Sequence, residues 1–436
     1  MTAPHQSRND GRMTPLSDLP EDALEPVGLI RQSGVVLRTG RLMLSAGTGS
    51  YRVKLAMQQV ARAIGLDRHS AHVTLTEITA TSHRGLIFRT EVAEIRAIAV
   101  NADRIARLEA MTAELPAGST VDDVNAGLDA IEARPYLYPA YANGLFAGLA
   151  CAAFAFLNNG RLVECLSVAV AATLGQWARR SILHRGFNHF GVTMTAAAVA
   201  CVAYLGVIAV VDTVTGSTSV HQAGFVSAVL FLVPGFALVT GALDLAKLDF
   251  SAGVSRTVYA LMILIASALS VWAVSVAAGL SIGNPAPMDL APAVEIALRA
   301  LASAGGVLGF ALMFNTPLKM AFTAAGIGMV GNVARLEMVD RGVVVQAATT
   351  LSCVIIGVLA AWAAPRIASP NITLSVPAVL IMVPGVAAYR TVVSFNDGKI
   401  IDALTNGVQG SFVVVSIVVG LVIAKSLTDR EWAFET

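Results

Sequence analysis

Val229-Leu230-Phe231-Leu232-Val233-Pro234-Gly235 and Val379-Leu380-Ile381-Met382-Val383-Pro384-Gly385 end alike: an apolar run closed by Val-Pro-Gly, 150 residues apart. Proline inside a helix removes a backbone donor and crowds the preceding turn, and glycine after it lets the chain break. Both runs sit inside longer apolar stretches, where freed backbone groups have no water to bond and need protein partners. Two further matches support the pairing. Leu174-Gly175-Gln176-Trp177-Ala178-Arg179 resembles Val330-Gly331-Asn332-Val333-Ala334-Arg335, and Asn159 matches Asn315, both 156 residues apart. Matches in the same order at nearly the same offset predict one duplicated unit.

From Ala140 onward ten apolar stretches follow, near 140–157, 162–183, 187–211, 222–243, 257–280, 293–313, 318–336, 342–363, 373–391 and 406–424. Most are long enough to cross a hydrocarbon core of ~30 Å at ~1.5 Å per residue. The ninth is short. The duplication divides them five and five, and an odd-numbered unit enters the membrane upside down the second time. The predicted fold is an α-helical integral membrane protein of about ten transmembrane helices. Two inverted five-helix repeats, 140–280 and 293–424, are expected, the usual architecture of secondary transporters.

Composition agrees. The 436 residues are 55% hydrophobic and only 14% charged, against about 25% charged in soluble domains. Residues 1–139 hold 15 of the 30 Lys and Arg and 16 of the 29 Asp and Glu, so a polar domain is fused to an apolar one. The connection after the second stretch carries Arg179, Arg180 and Arg185, and the one after the fourth carries Lys247 and Arg256. The connections at 212–221 and 281–292 carry no Lys or Arg. Basic loops stay in the cytoplasm, so the N-terminus is placed in the cytosol of a cell bounded by an inner membrane. In the second half Arg335 and Arg341 fall on an expected outer loop. The net charge of +1 gives no reason to expect nucleic-acid binding.

Residues 1–26 read as a disordered tail without a secretory signal, and 425–436 as a cytosolic tail. Residues 27–135 read as a cytosolic α+β domain. Two helices cover 27–65; in the second, Val53, Met57, Val60 and Ile64 recur at helical spacing and Ser50 stands as cap. Strands are expected over 72–81 and 86–98, with His83-Arg84-Gly85 as the turn, then helices from Asn101 and over 120–134. Prolines and tyrosines at 135–139 mark the membrane boundary.

Paired breaks in corresponding segments point to a transport site, so Pro234, Gly235, Pro384 and Gly385 are the leading substrate-binding candidates. The repeat-matched polar residues Gln176, Asn332, Asn159 and Asn315 join them. Asp244, about 13 Å along a helix from Gly235, lies at the cytoplasmic edge; with Asp249 and Arg256 it is a candidate for gating or proton coupling. Glu295 and Arg299 are spaced as a helical ion pair. No cofactor or metal is expected. Ala46–Ser50 lacks the Gly-Lys-Ser/Thr ending of a phosphate loop, and His69, His72 and His83 lack a completing Cys or carboxylate. Cys151, Cys165, Cys201 and Cys353 read as small packing residues. No nucleophile constellation suggests an enzyme.

These residues carry a resemblance. The chain resembles the bacterial threonine/serine exporter family over nearly its whole length after about residue 27. The likeness rests on Gly47-Thr48-Gly49-Ser50-Tyr51-Arg52-Val53, on His72-Val73-Thr74 and on the Phe154–Leu162 region. Its most specific part is Pro234-Gly235 followed by Asp244-Leu245, Asp249, Gly253 and Arg256, with the second Val-Pro-Gly at 383–385. The resemblance implies export of threonine and serine driven by protons, with lipid as the surrounding partner. Asn158-Asn159-Gly160 departs from the Phe-Gly-Gly turn usual in relatives. Export of small dicarboxylates such as succinate, or a non-transporting membrane sensor, stands as the alternative. A homo-oligomer is compatible with all of these readings.

Overall fold

The computed structural model describes residues 21–95, 99–216, 222–280 and 288–429; most of the expected tail (1–20) and residues 430–436 lie outside these. Residues 21–26, assigned above to that tail, instead form the start of helix α1 (Glu21–Ser45). Helix α2 (Ser50–Ala63) buries Val53, Ala56, Met57 and Val60, the face its periodicity predicts. Three antiparallel strands follow, β1 (Arg68–Val73), β2 (Glu77–Arg84) and β3 (Ile87–Glu94), in the order β1-β2-β3. The single strand expected over 72–81 is therefore two. Thr74 closes the turn between them, its amide donating to the Glu77 carbonyl at 2.8 Å and its hydroxyl accepting from the Glu77 amide. Helices α3 (Ala102–Glu114) and α4 (Val121–Glu132) complete the unit. Asn101 caps α3, and a reciprocal Thr120–Asp123 box caps α4.

Leu29, Val36, Met43, Met57, Ile78, Leu108 and Leu128 form a core of this unit's own. We expect residues 21–135 expressed alone to be soluble and to unfold cooperatively. Burial pushes His69 down to about 4, its Nε2 lacking a partner and its Nδ1 meeting Ser82 Oγ at 3.0 Å. Unfolded histidine titrates near ~6.5. A depressed folded pKa means His69 favours folding above ~6.5 and penalises it increasingly as pH falls toward 4. Chemical denaturation of the fragment at pH 7 and pH 4.5 checks both points. A His69→Gln fragment should lose less stability between the two.

The apolar part runs α5 (Ala140–Leu157), α6 (Leu162–Leu183), α7 (His189–Thr215), α8 (Gln222–Ser227), α9 (Gly235–Ala246) and α10 (Phe250–Ala277). It continues α11 (Pro292–Met313), α12 (Leu318–Asp340), α13 (Val345–Ala363), α14 (Asn371–Leu380), α15 (Gly385–Asn396) and α16 (Ile400–Thr428). Each half thus has three long helices, a broken pair and a fourth long helix. Among the described residues six helices are long and apolar enough to cross a membrane, or eight if each broken pair counts as one span. Helices α6 and α12, the second and seventh expected stretches, are not among them, because Glu164, Arg179 and Arg180 load one and Lys319, Arg335, Glu337 and Asp340 the other. Arg335, expected on a loop, lies inside α12 and donates to Asn332 Oδ1 at 3.1 Å. Helix α16 carries the chain four residues, 425–428, into the segment expected as a tail.

Helices α5 and α11, the first of each half, pack antiparallel. Asn143 Nδ2 donates to the Met313 carbonyl at 2.9 Å, while Gly309 lies against Phe146 and Ala150, and Gly306 against Ala153. Small residues let the two backbones approach where lipid offers no hydrophobic drive. Glu295 and Arg299 pair at 2.6 Å at the other end of α11, and Arg299 also meets Asp340.

Candidate functional site

Both Val-Pro-Gly motifs fold the same way. Pro234 has φ −79°, ψ 53° and Pro384 φ −80°, ψ 57°, the backbone of an inverse γ-turn. In each the glycine amide donates two residues back, Gly235 to the Val233 carbonyl and Gly385 to the Val383 carbonyl, both at 2.8 Å. The chain bends by 59° at the first motif and 47° at the second, and a new helix starts at each glycine. The amides of Phe236 and Ala237 precede the first in-helix bond of α9, from the Leu238 amide to the Pro234 carbonyl, and so have no intrahelical acceptor. Asn159 and Asn315 also share a conformation, both left-handed with φ of 65° and 59°, which asparagine tolerates better than most residues.

The two breaks face each other reciprocally. A Cβ on Gly235 would strike Leu380, and one on Gly385 would come within 2.5 Å of Leu230. Leu230, Val233, Leu380 and Val383 close around Phe154 and Phe310, whose rings meet edge to face at 5.9 Å. The space left is about 10 Å³, too small and apolar to hold ordered water. A cavity lies on either side of this plug. One, of about 330 Å³, is lined by Tyr138, Asn143, Gln176, Arg179, Pro234 to Ala237, Tyr259 and Asn315, and reaches Ala99 of the N-terminal unit. The other, of about 500 Å³, is lined by Pro384, Ala387, Gln409, Val413 and the turn joining α12 to α13. That turn is at the end of α12 away from the N-terminal unit. The cavities correspond by position, Pro234 with Pro384, Ala237 with Ala387, Tyr259 with Gln409 and Ile263 with Val413.

The expected polar residues divide among these places. Gln176, Pro234, Gly235 and Asn315 line the first cavity, and Pro384 the second. Gln176 donates to Asn143 Oδ1 at 2.7 Å and its own Oε1 is buried without a partner. Asn332 is fully buried, donating to Ser303 Oγ at 2.8 Å, and lines neither cavity. Asn159 sits at the far turn between α5 and α6. Asn315 accepts from the Leu137 amide and donates to Asn101 Oδ1, tying the N-terminal unit to the end of α11. Two amides of α3 reinforce that tie, Ala102 donating to the Phe314 carbonyl and Asp103 to the Asn315 carbonyl.

Asp244, Asp249 and Arg256 form a second joint to the N-terminal unit. Ser50 does not cap α2 with its side chain as expected. The cap is Asp244, whose Oδ1 accepts from the Ser50 amide at 3.0 Å across 194 residues of sequence. Gly49 permits the approach, since a Cβ there would meet Asp244 Oδ1 at 3.1 Å. Arg256 Nε lies 3.2 Å from Asp244 Oδ2 without hydrogen-bond alignment, while its Nη2 donates to the Thr48 carbonyl at 2.8 Å. Asp249 accepts from Ser50 Oγ and Lys54 Nζ, each at 2.5 Å. Burial would raise the Asp249 carboxyl, but the bonds from Lys54 and Ser50 and the Lys54 charge outweigh it and hold it below the usual range. The motif at 47–53 and the acidic run after the first break are thus two sides of one contact.

Comparison with known proteins identifies the family. Residues 34–277 match the family described as "Putative threonine/serine exporter", and residues 299–427 the family described as "Threonine/Serine exporter, ThrE". The "Probable succinate transporter subunit YjjP" of Escherichia coli (strain K12) is 23% identical over 242 residues, 54% of this chain and 93% of that protein. No solved structure matches the chain significantly. With one match over the N-terminal unit and first helical half and the other over the second half, the chain belongs to the threonine/serine exporter family of multi-pass membrane transporters.

Proposed function

We propose that this protein exports threonine and serine across the bacterial inner membrane by proton antiport, and is not an enzyme. The helices cross ten times as two inverted five-helix repeats, 140–280 and 293–424. Residues 27–135 form a cytosolic domain. The observation that carries the reading is the pair of position-matched cavities, each ended by a Pro-Gly break and separated by an apolar plug. Alternating access needs two half-routes sealed from each other, and a sensor that only binds does not. Antiparallel packing of α5 on α11 and the reciprocal contact of the breaks support inversion, since only a two-fold relation places each glycine on the other's leucine. The matched breaks make Pro234, Gly235, Pro384 and Gly385 the solute's path, with Gln176 and Asn315 beside it. Asn159 and Asn332 complete the matched set of polar positions. Asp244, Asp249 and Arg256, at the joint with the cytosolic domain, form the inner gate.

A second reading has its own support. The first cavity is lined by Arg179, Arg180 and His184 and by no described carboxylate, which suits a dianion such as succinate. Inside-out vesicles energised to an acidic interior, offered labelled threonine, serine and succinate, test both. Threonine and serine should accumulate, and a protonophore should collapse the accumulation. Accumulation of succinate alone would replace the first reading with the second, and binding without accumulation would leave a sensor.

A further inference from the structure

We propose that Arg179 and its repeat mate Arg335 are the carboxylate-binding residues of the two half-routes, an assignment that deepens the transport reading and rests on it for sidedness. Arg179 lines the first cavity, and among the described residues its guanidinium makes no hydrogen bond or ion pair. An arginine inside a helix bundle normally finds an anion or a carbonyl, because desolvating its charge is costly. Here the cavity offers no carboxylate and leaves the planar donor fork free, the geometry that takes a carboxylate bidentately.

Two neighbours complete a site for a small carboxylate. The amides of Phe236 and Ala237, at the uncapped start of α9, line the same cavity and carry the positive end of the helix dipole. Gln176, one turn before Arg179 and only 4% exposed, holds a buried Oε1 with no donor. A solute carrying both a carboxylate and an ammonium or hydroxyl group could satisfy the guanidinium and the orphaned acceptor together.

The bland explanation is that Arg179 is a basic residue anchoring the cytoplasmic end of α6. Arg335 argues against it. It occupies the matched place in α12, and in an inverted repeat that place lies toward the opposite face. Charge bias accounts for one of the two arginines but not both, whereas a solute leaving one half-route for the other needs a cation in each. Their states differ here. Arg179 is free beside an open cavity, while Arg335 bonds Asn332 Oδ1 and lines neither of the two cavities.

The test is thermal stabilisation of the purified full-length protein by L-threonine, L-threoninamide and succinate. Wild type should be stabilised by threonine or succinate and not by the amide, which lacks the carboxylate. Whichever acid stabilises it identifies the solute class. Arg179→Gln should weaken the response to the acid by roughly tenfold or more, the loss of a charge-assisted pair, with Arg179→Lys between. Arg341→Gln, at an exposed arginine after α12 that lines neither cavity, should leave it nearly unchanged. Equal stabilisation by threonine and threoninamide, no stabilisation by any acid, or an undiminished response in a folded Arg179→Gln protein would each overturn the assignment. Stabilisation by acid without accumulation in vesicles would instead overturn the transport reading and leave the site standing.

Discussion

Gly235→Leu and Gly385→Leu are each expected to abolish transport while the protein still reaches the membrane. The reason is the reciprocal contact at the plug. Each glycine lies where even a Cβ would press on the leucine of the other half, Leu380 or Leu230. A leucine would drive four carbons into a space of about 10 Å³. Overpacking of this kind costs ~1–3 kcal/mol, less than the stability of most domains but ample to bias one packing of the repeats against the other. Alanine is the informative intermediate. Its methyl meets only the end of a flexible side chain, so Gly235→Ala should lower transport severalfold. Adding Leu380→Ala should restore part of the loss, and the mirrored pair Gly385→Ala with Leu230→Ala should behave alike. Such coupling between contacting residues is what a double-mutant cycle isolates. Normal vesicle transport by both leucine variants would show that the breaks are only kinks.

What the sequence makes legible follows from the range of the interactions involved. The breaks are local chemistry: proline followed by glycine at 234–235 and 384–385 marks them, whereas Pro377, followed by alanine, stays inside α14, so they can be read directly. The helical face of α2 is equally local. The joint is not. Ser50 beside a glycine turn looks like its own helix cap, and only the folded chain shows that the cap is Asp244, 194 residues on. Asp244 itself looks like a solvated edge carboxylate until the N-terminal unit covers it, leaving 3% exposed. Arg179 was visible only as a topology signal; the clue to more was its match with Arg335, a basic residue the same signal could not explain. Thr74-Leu75-Thr76 hid the first hairpin because threonine and leucine suit a strand as well as a turn. The polar load of α6 and α12 blurs their standing as spans, since a helix lining a cavity need not be apolar all round.

Asp244→Asn should largely remove the dependence of transport on the proton gradient while leaving the apparent affinity for solute within about twofold, the pattern of a residue that acts on a step other than binding. The geometry separates Asp244 from its neighbours. Arg256 keeps its directed bond to the Thr48 carbonyl whatever the state of Asp244, and Lys54 with Ser50 keeps Asp249 ionised. Asp244 alone combines deep burial, an unaligned cationic neighbour and a bond to the first turn of α2. It also borders a cavity of about 100 Å³ lined by Thr240, Lys247, Ser375 and Lys425. Protonation would weaken both the cap on α2 and the attraction to Arg256, loosening the N-terminal unit from α9 at the moment a proton arrives. Asparagine imitates that state permanently and, like Asp244→Ala, leaves the buried Arg256 without its counter-charge, but only alanine also removes the acceptor of the Ser50 amide. Losing one partner of a buried pair costs ~3–5 kcal/mol, so the alanine variant should be visibly destabilised in detergent. Arg256→Gln with Asp244→Asn, which removes both charges, should recover much of that stability without recovering gradient dependence. A wild-type response to the gradient in Asp244→Asn would exclude this carboxylate as the proton carrier and reduce the joint to a structural clasp.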